Sequence, residues 1–193
     1  MSVPSQQTTF TPEDLLHMPD GKSLELVNGL LVEKNMGFES SFIGGQIFLI
    51  LANYCYSKGL GWVLPADTSY QCFSDDPTKV RKPDASFIAG SRLLGNRPKG
   101  HCRLVPDLVV EVVSPNDEFS QVSIKVHEYL DAGVRLVWVV DPVGEEVLVY
   151  RPDDTRAMLT GKDHLDGEDV VPGFRCLVAD LFKPPAGVAA AKG

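Results

Sequence analysis

The spacing of hydrophobic positions changes several times along this chain, and each change marks an element. From Glu39 to Tyr56 the apolar residues Phe42, Ile43, Ile47, Phe48, Ile50, Leu51 and Tyr54 recur at three- and four-residue spacing, which predicts a helix with a broad buried stripe. It should stop near Lys58-Gly59, a basic last turn followed by a glycine, and Gly44 and Gly45 in its first half point to close backbone packing. A shorter helix is predicted from Thr11 to Met18, where threonine, a proline at the first helical position and Asp14 make an N-terminal signature. A third runs to about Ala132 with Ser120 or Asp117 as cap and Gly133 beyond it. Val122, Val126, Tyr129 and Leu130 form its apolar arc, with His127, Glu128 and Asp131 outside and Lys125 on the flank.

Between these helices the pattern is that of strands. Ser23–Val27 and Leu30–Lys34 flank Asn28-Gly29, the dipeptide best suited to a two-residue hairpin turn. Trp62–Leu64, Thr68–Phe73 and Arg81–Ala89 are further candidates, separated by Pro65 and by the turn-like residues 74–78. The apolar run Leu108–Val113, closed by Ser114 and Pro115, reads as a strand covered on both faces, as does Leu136–Val140. Strand, helix and strand within residues 108–140 make a crossover unit, which should be parallel and right-handed. Glu146–Arg151 pairs back through the PVGE turn, short strands follow, and Ala179–Phe182 adds a helical turn. Residues 90–105 read as a loop with a possible helical turn. Residues 11–183 form one domain, while the polar stretch 1–10 and the low-complexity stretch 184–193 are expected to be disordered tails.

Composition narrows the classes. No apolar run approaches the ~20 residues of a bilayer span and the start lacks a signal-peptide pattern, so a cytoplasmic protein without membrane contact is expected. Cys55, Cys72, Cys102 and Cys176 have neither C-x-x-C spacing nor a nearby histidine, which argues against a zinc site or a disulfide framework. A net charge of -8 disfavours broad phosphate neutralisation. The one compact basic cluster, Lys79, Arg81 and Lys82, reads mainly as solvated surface and only weakly as a polyanion strip; Arg92, Arg97, Lys99 and Arg103 follow on a loop.

One residue breaks the pattern of the central strand. Alternation places Glu111 between Val109 and Val113 on a buried face, where an ionised carboxylate costs several kcal/mol unless a cation, a metal or several donors meet it. Asp84 stands at the start of a neighbouring strand, sharing a face with Ser86 and Ile88, and Lys125 can extend its ammonium past the edge of the helix that leaves the central strand. Glu25, in the hairpin, faces opposite to Leu24 and Leu26, as a surface carboxylate also would. Two carboxylates with open coordination positions suit Mg2+ or Mn2+, and a nearby ammonium can orient water or offset charge on a phosphoryl group.

The succession ELVNGLLVE, KPDASFIA, PDLVVEVVSP, K-x-x-x-Y-L-x-A-G-V-R-L-V-W-V-V-D-P and LDGEDVVPGF resembles the Uma-two family of restriction-endonuclease-like proteins in the PD-(D/E)xK nuclease superfamily, over about residues 11–183. The resemblance implies an α/β fold with a restriction endonuclease-like core, a mixed central sheet flanked by helices and an N-terminal hairpin. It puts Asp84 at the aspartate of the motif and Glu111 at its second acid, with the Val112 carbonyl as a further metal oxygen. Val113 stands where the general motif has lysine; in this family the lysine has moved to the following helix, where Lys125 matches it. Glu25 matches a family glutamate on the metal side or in a positioning role. Family members often carry an acid just before that lysine, whereas this chain has Gln121 and Ile124.

The expected activity is therefore that of a Mg2+- or Mn2+-dependent DNA endonuclease with Asp84, Glu111, Lys125 and Glu25 as site residues and Asp84, Glu111 and Val112 as metal contacts. A competing expectation, motivated by the acidic balance and by Val113, is a non-cleaving nucleic-acid-binding or protein-interaction module on the same fold. A homodimer is also expected, with Ile124, Phe38 and Phe42 as its contact.

Overall fold

The computed structural model describes residues 8–34, 37–93, 95, 97–115 and 117–185. Helix α1 (Pro12–His17) opens on a capping box: Thr11 Oγ1 accepts the Asp14 N–H at 3.2 Å and Asp14 Oδ2 accepts the Thr11 N–H at 2.8 Å. Two donors that the first turn leaves open are thereby satisfied reciprocally. Strands β1 (Leu24–Val27) and β2 (Leu30–Glu33) form the predicted hairpin, turning at Asn28 and Gly29 with φ of 51° and 76°. Left-handed backbone at both positions matches the twist of the two strands. The hairpin docks where Leu26 and Val80 exchange backbone hydrogen bonds of 2.9 and 2.8 Å, over an apolar cluster of Leu15, Leu26 and Val80. Phe10, expected in the N-terminal tail, packs on that cluster and donates its N–H to the Gly29 carbonyl. Of the two expected tails, residues 1–7 and 186–193 lie outside the described residues.

Six strands form the central sheet in the order β3 (Gly61–Pro65), β4 (Ala85–Ala89), β5 (Leu108–Val112), β6 (Leu136–Asp141), β7 (Glu146–Tyr150) and β8 (Arg156–Leu159). β5 and β6 run parallel, connected through helix α3 (Phe119–Ala132), and the other neighbouring pairs are antiparallel. Helix α2 (Phe38–Ser57) covers one face, with Ile43, Ile47 and Leu51 in a core shared by Ala85, Phe87, Val110, Val112 and Trp138. α3 covers the other, where Val126 and Tyr129 join Val109, Val137 and Val139. β5 therefore serves two cores with alternate side chains, which is why it is apolar throughout apart from Glu111. Leu51 is wholly buried, and truncating such a side chain to alanine costs ~2–5 kcal/mol. A ribbon of β9 (His164–Asp166) and β10 (Arg175–Leu177) and the short helix α4 (Ala179–Phe182) extend the α2-side core through Leu165, Phe174 and Leu181.

Three local expectations change. Thr68–Phe73 is not a strand: Tyr70 makes isolated bridges to Arg81 and Cys102, and its buried hydroxyl lies 2.6 Å from Ser86 Oγ. The Arg81–Ala89 strand begins only at Ala85, because Val80 pairs with the hairpin, Arg81 pairs with Tyr70, and Pro83 has no N–H to offer a ladder. Helix α3 carries no side-chain cap; Asp117 accepts the Ser114 N–H at 2.7 Å instead. Gly133 does end it, with φ of 102°. The four cysteines are free thiols, and among the described residues no helix is long and apolar enough to cross a membrane.

Candidate active site

Glu111 is buried between the two cores, as its place in β5 requires. α3 delivers two donors to it: the Tyr129 hydroxyl donates to Oε1 at 2.8 Å and the Lys125 ammonium lies 3.6 Å from Oε2. Positions i and i+4 share a helix face, so one turn of α3 presents both groups. Burial pushes the Glu111 carboxyl above its ordinary range; Lys125 opposes this and the nearby Asp84 charge adds to it. Burial and then the charge of Glu111 hold the Tyr129 phenol well above its usual range, so it remains a donor.

Glu25 reaches the same place from the hairpin and is not a surface carboxylate. Its Oε1 accepts the Lys82 N–H at 2.8 Å, and its Oε2 takes Arg81 Nη1 at 2.8 Å and Lys125 Nζ at 3.3 Å. Burial works to raise this carboxyl, but Lys125, Arg81 and the Lys82 N–H together hold it below the ordinary value. Lys125 is in turn held strongly protonated: burial works against its charge, and Glu111 and Glu25 outweigh it.

Arg81 continues the network, its Nε donating to Glu128 Oε2 at 2.7 Å, and Lys79 lies 3.0 Å from Glu128 Oε1. Lys82 is buried as well and donates its ammonium to the Gly21 carbonyl. The basic cluster 79–82 is thus internal rather than solvated, and it offers no surface strip for a polyanion. The cause is the docking of the hairpin and of α3, which bring buried acids or carbonyls to each cation. Glu128, placed outside the apolar arc, belongs to this network. Arg92, Arg97, Lys99 and Arg103 do remain exposed.

Asp84 immediately precedes β4, and its N–H donates to the Val110 carbonyl at 2.9 Å. Its Oδ2 accepts the Val112 N–H at 2.7 Å and its Oδ1 meets Lys34 Nζ at 2.8 Å, while Lys34 also donates to the Lys82 carbonyl at 2.7 Å. Asp84 lines a cleft of ≈ 180 Å³ with Ser40, Ser41, Gly44 and Pro65. That is the α2 side, so the alternation of Ser86 and Ile88 does not extend back to it. Gly44 faces Asp84 across this cleft, and a Cβ there would make an ordinary van der Waals contact, 3.5 Å from Asp84 Cβ. Glu111, Val112, Lys125 and Gln121 line a separate cavity of ≈ 20 Å³, about the room of one water. The two acids therefore sit just before β4 and within β5, close enough for their charges to interact, but open on different sides of Val112.

All four residues singled out in the sequence thus fall in one region, with Lys34, Arg81 and Tyr129 as partners the sequence did not single out for the site. Tyr129 was hidden by its place in an apolar arc, Arg81 by its place in a charge run, and Lys34 by ending a hairpin. Glu25 meets three donors with its two oxygens, where Asp84 and Glu111 each meet two, and is the poorest candidate for a ligand of the three acids. Asp84 and Glu111 retain lone pairs, and a cation beside the buried Glu111 would relieve the cost that raises its carboxyl. Among the described residues no three His, Cys, Asp or Glu side chains cluster as a ligand set. A pair of carboxylates with water is the habit of Mg2+ or Mn2+, so the oxygen donors suit that class, and a shared ion would have to meet the two acids across Val112.

Residues 12–179 match the family model described as "Uma2: Putative restriction endonuclease". No curated protein matches the sequence. Among solved structures, a "putative nuclease belonging to DUF820" from Anabaena variabilis is similar with a TM-score of 0.75 and 19% identity, covering 90% of this chain and 97% of that one. At that identity the likeness is one of fold, and it agrees with the mixed sheet flanked by helices.

Proposed function

Because this chain belongs to the Uma2 family, we propose that it is a Mg2+- or Mn2+-dependent DNA endonuclease hydrolysing phosphodiester bonds. The observation that carries the reading is the meeting of Glu111, Lys125 and Glu25 from a strand, a helix and a hairpin, beside Asp84 on the adjoining chain segment. Asp84 and Glu111 would hold the ion, with the Val112 carbonyl as a further oxygen. When bound, the ion supplies Lewis-acid polarisation of a phosphoryl oxygen and a more acidic water.

The chain's own groups have distinct tasks. Lys125, kept charged by two carboxylates, orients the attacking water and offsets negative charge on the phosphoryl group. Its reach to Glu111 from α3 stands in for the motif lysine that Val113 replaces. Glu25 is a positioning residue: it anchors Lys125 while Arg81 and the Lys82 N–H anchor it. Lys34 and the Val112 N–H hold the two oxygens of Asp84. With the 79–82 cluster internal, contacts to DNA phosphates fall to exposed loop cations such as Arg97, Lys99 and Arg103.

Plasmid and oligonucleotide cleavage with Mg2+, Mn2+ or EDTA tests the reading. Asp84→Asn and Glu111→Gln should each lower metal-dependent cleavage at least ~100-fold with the fold retained, the scale lost when a group stabilising the transition state is removed. Undiminished cleavage by either variant refutes the assignment. The acidic balance favours one second reading, a module that binds without cutting; DNA binding that is independent of Asp84, by a parent protein that neither cleaves nor takes up Mn2+, would select it.

A further inference from the structure

We infer that Tyr129 is a positioning residue of this site, its hydroxyl fixing the Glu111 carboxylate in the orientation that receives the metal; the inference rests on the metal-dependent nuclease reading. A glutamate has three side-chain torsions to immobilise, and packing among valines restrains the stem better than the terminal carboxylate. Lys125 does little to set that orientation, because at 3.6 Å its ammonium exerts an attraction without the directionality of a hydrogen bond. The Tyr129 hydroxyl at 2.8 Å is directional. Its own position is fixed, since the ring is fully buried and tilted against Phe73, with centroids 6.0 Å apart.

The surroundings of the ring are apolar: Val109, Val126, Val137 and Val139 share its cluster. Phenylalanine would meet that packing demand equally well. What tyrosine adds is one donor, and it is aimed at the buried acid of the central strand. With Oε1 held by the Tyr129 hydroxyl and Oε2 turned toward Lys125, the remaining lone pairs, rather than a rotating carboxylate, face a ligand. Outer partners that orient a metal's ligands in this way typically change metal affinity ~10–100-fold when removed.

Tyr129→Phe keeps the ring and deletes the donor, and Phe73→Leu disturbs the ring's packing while keeping the hydroxyl. Mn2+ binding is measured by calorimetry and by the Mn2+ electron spin resonance spectrum, with thermal unfolding and cleavage alongside. Expected for Tyr129→Phe is a folded protein with ~10–100-fold weaker Mn2+ binding, an altered spectrum, and cleavage partly restored by raised Mn2+. Phe73→Leu should lose thermal stability and keep its Mn2+ affinity. An unchanged affinity in Tyr129→Phe overturns the inference while leaving the nuclease reading intact. So does an equal loss in Phe73→Leu, which would mark a packing role, or a Tyr129→Phe protein that does not fold, which would mark a hydrogen bond needed for folding rather than for the metal. A parent protein that takes up no Mn2+ overturns the metal site and this inference together.

Discussion

Arg81→Met should weaken folding by removing the charge that neutralises two acids. Arg81 is buried and ties two elements together, its Nη1 2.8 Å from Glu25 Oε2 in the hairpin and its Nε 2.7 Å from Glu128 Oε2 in α3. Methionine fills much of the same channel and removes the charge. A charge pair near 4 Å at an effective dielectric of 20 is worth ~4 kcal/mol, and losing one partner of a buried pair typically costs ~3–5 kcal/mol because the other charge is left uncompensated. Glu25 keeps Lys125 at 3.3 Å and the Lys82 N–H at 2.8 Å, which places the expected loss at the lower end, ~3 kcal/mol. Domains of this size have ~5–15 kcal/mol in all, so urea unfolding should move its midpoint down by ~1 M or more. Arg81→Lys should recover only part of the loss, because one ammonium cannot bridge both acids in the geometry of a guanidinium. A Met variant within ~1 kcal/mol of the parent would refute the claim that Arg81 neutralises a buried acid, since that is the scale of an exposed pair.

Three further outcomes follow. Glu25 has a folded-state value below the ordinary glutamate value of 4.5, so its contribution to stability is present above pH 4.5 and is lost as pH falls through the lowered folded value; Glu25→Gln should narrow its gap to the parent below pH 4.5, and a gap constant from pH 7 to 3 in urea titrations would contradict the sign. Gly61→Ala would put a Cβ 2.3 Å from the Ile88 carbonyl and 2.7 Å from Phe87 Cε2 at the edge of β3, so a loss of at least ~1–3 kcal/mol is expected by chemical denaturation, and a neutral variant would contradict that packing. For self-association, Phe38 at 92% and Ile124 at 47% exposure are available, whereas Phe42 packs on the α2-side core. Sedimentation should show a dimer that Phe38→Ser weakens; a monomer at all concentrations would dispose of that contact.

The sequence alone determined the elements and much of the architecture, because those depend on local periodicity. The helical stripe of residues 39–56, the Asn28-Gly29 turn, the Thr11 capping box and the doubly apolar strands β5 and β6 each carry their instruction within a few neighbouring residues. Glu111 was legible for the same reason, as a charge in a run whose alternation left it no exposed face. Tertiary structure decided what surrounds that charge. Alternation can say that Glu25 turns away from Leu24 and Leu26, but only the docking of the hairpin at Val80 makes the facing surface Arg81 and Lys125 rather than water. The run Lys79, Arg81, Lys82 looked solvated because a charge run records no partners, and its partners Glu25 and Glu128 lie 47 or more positions away from Arg81 along the chain. The separation of Asp84 and Glu111 onto two openings likewise depends on how α2 and α3 cover opposite faces of the sheet. Hydrophobic period is a property of neighbours in sequence; the neutralisation of buried charge is a property of neighbours in space.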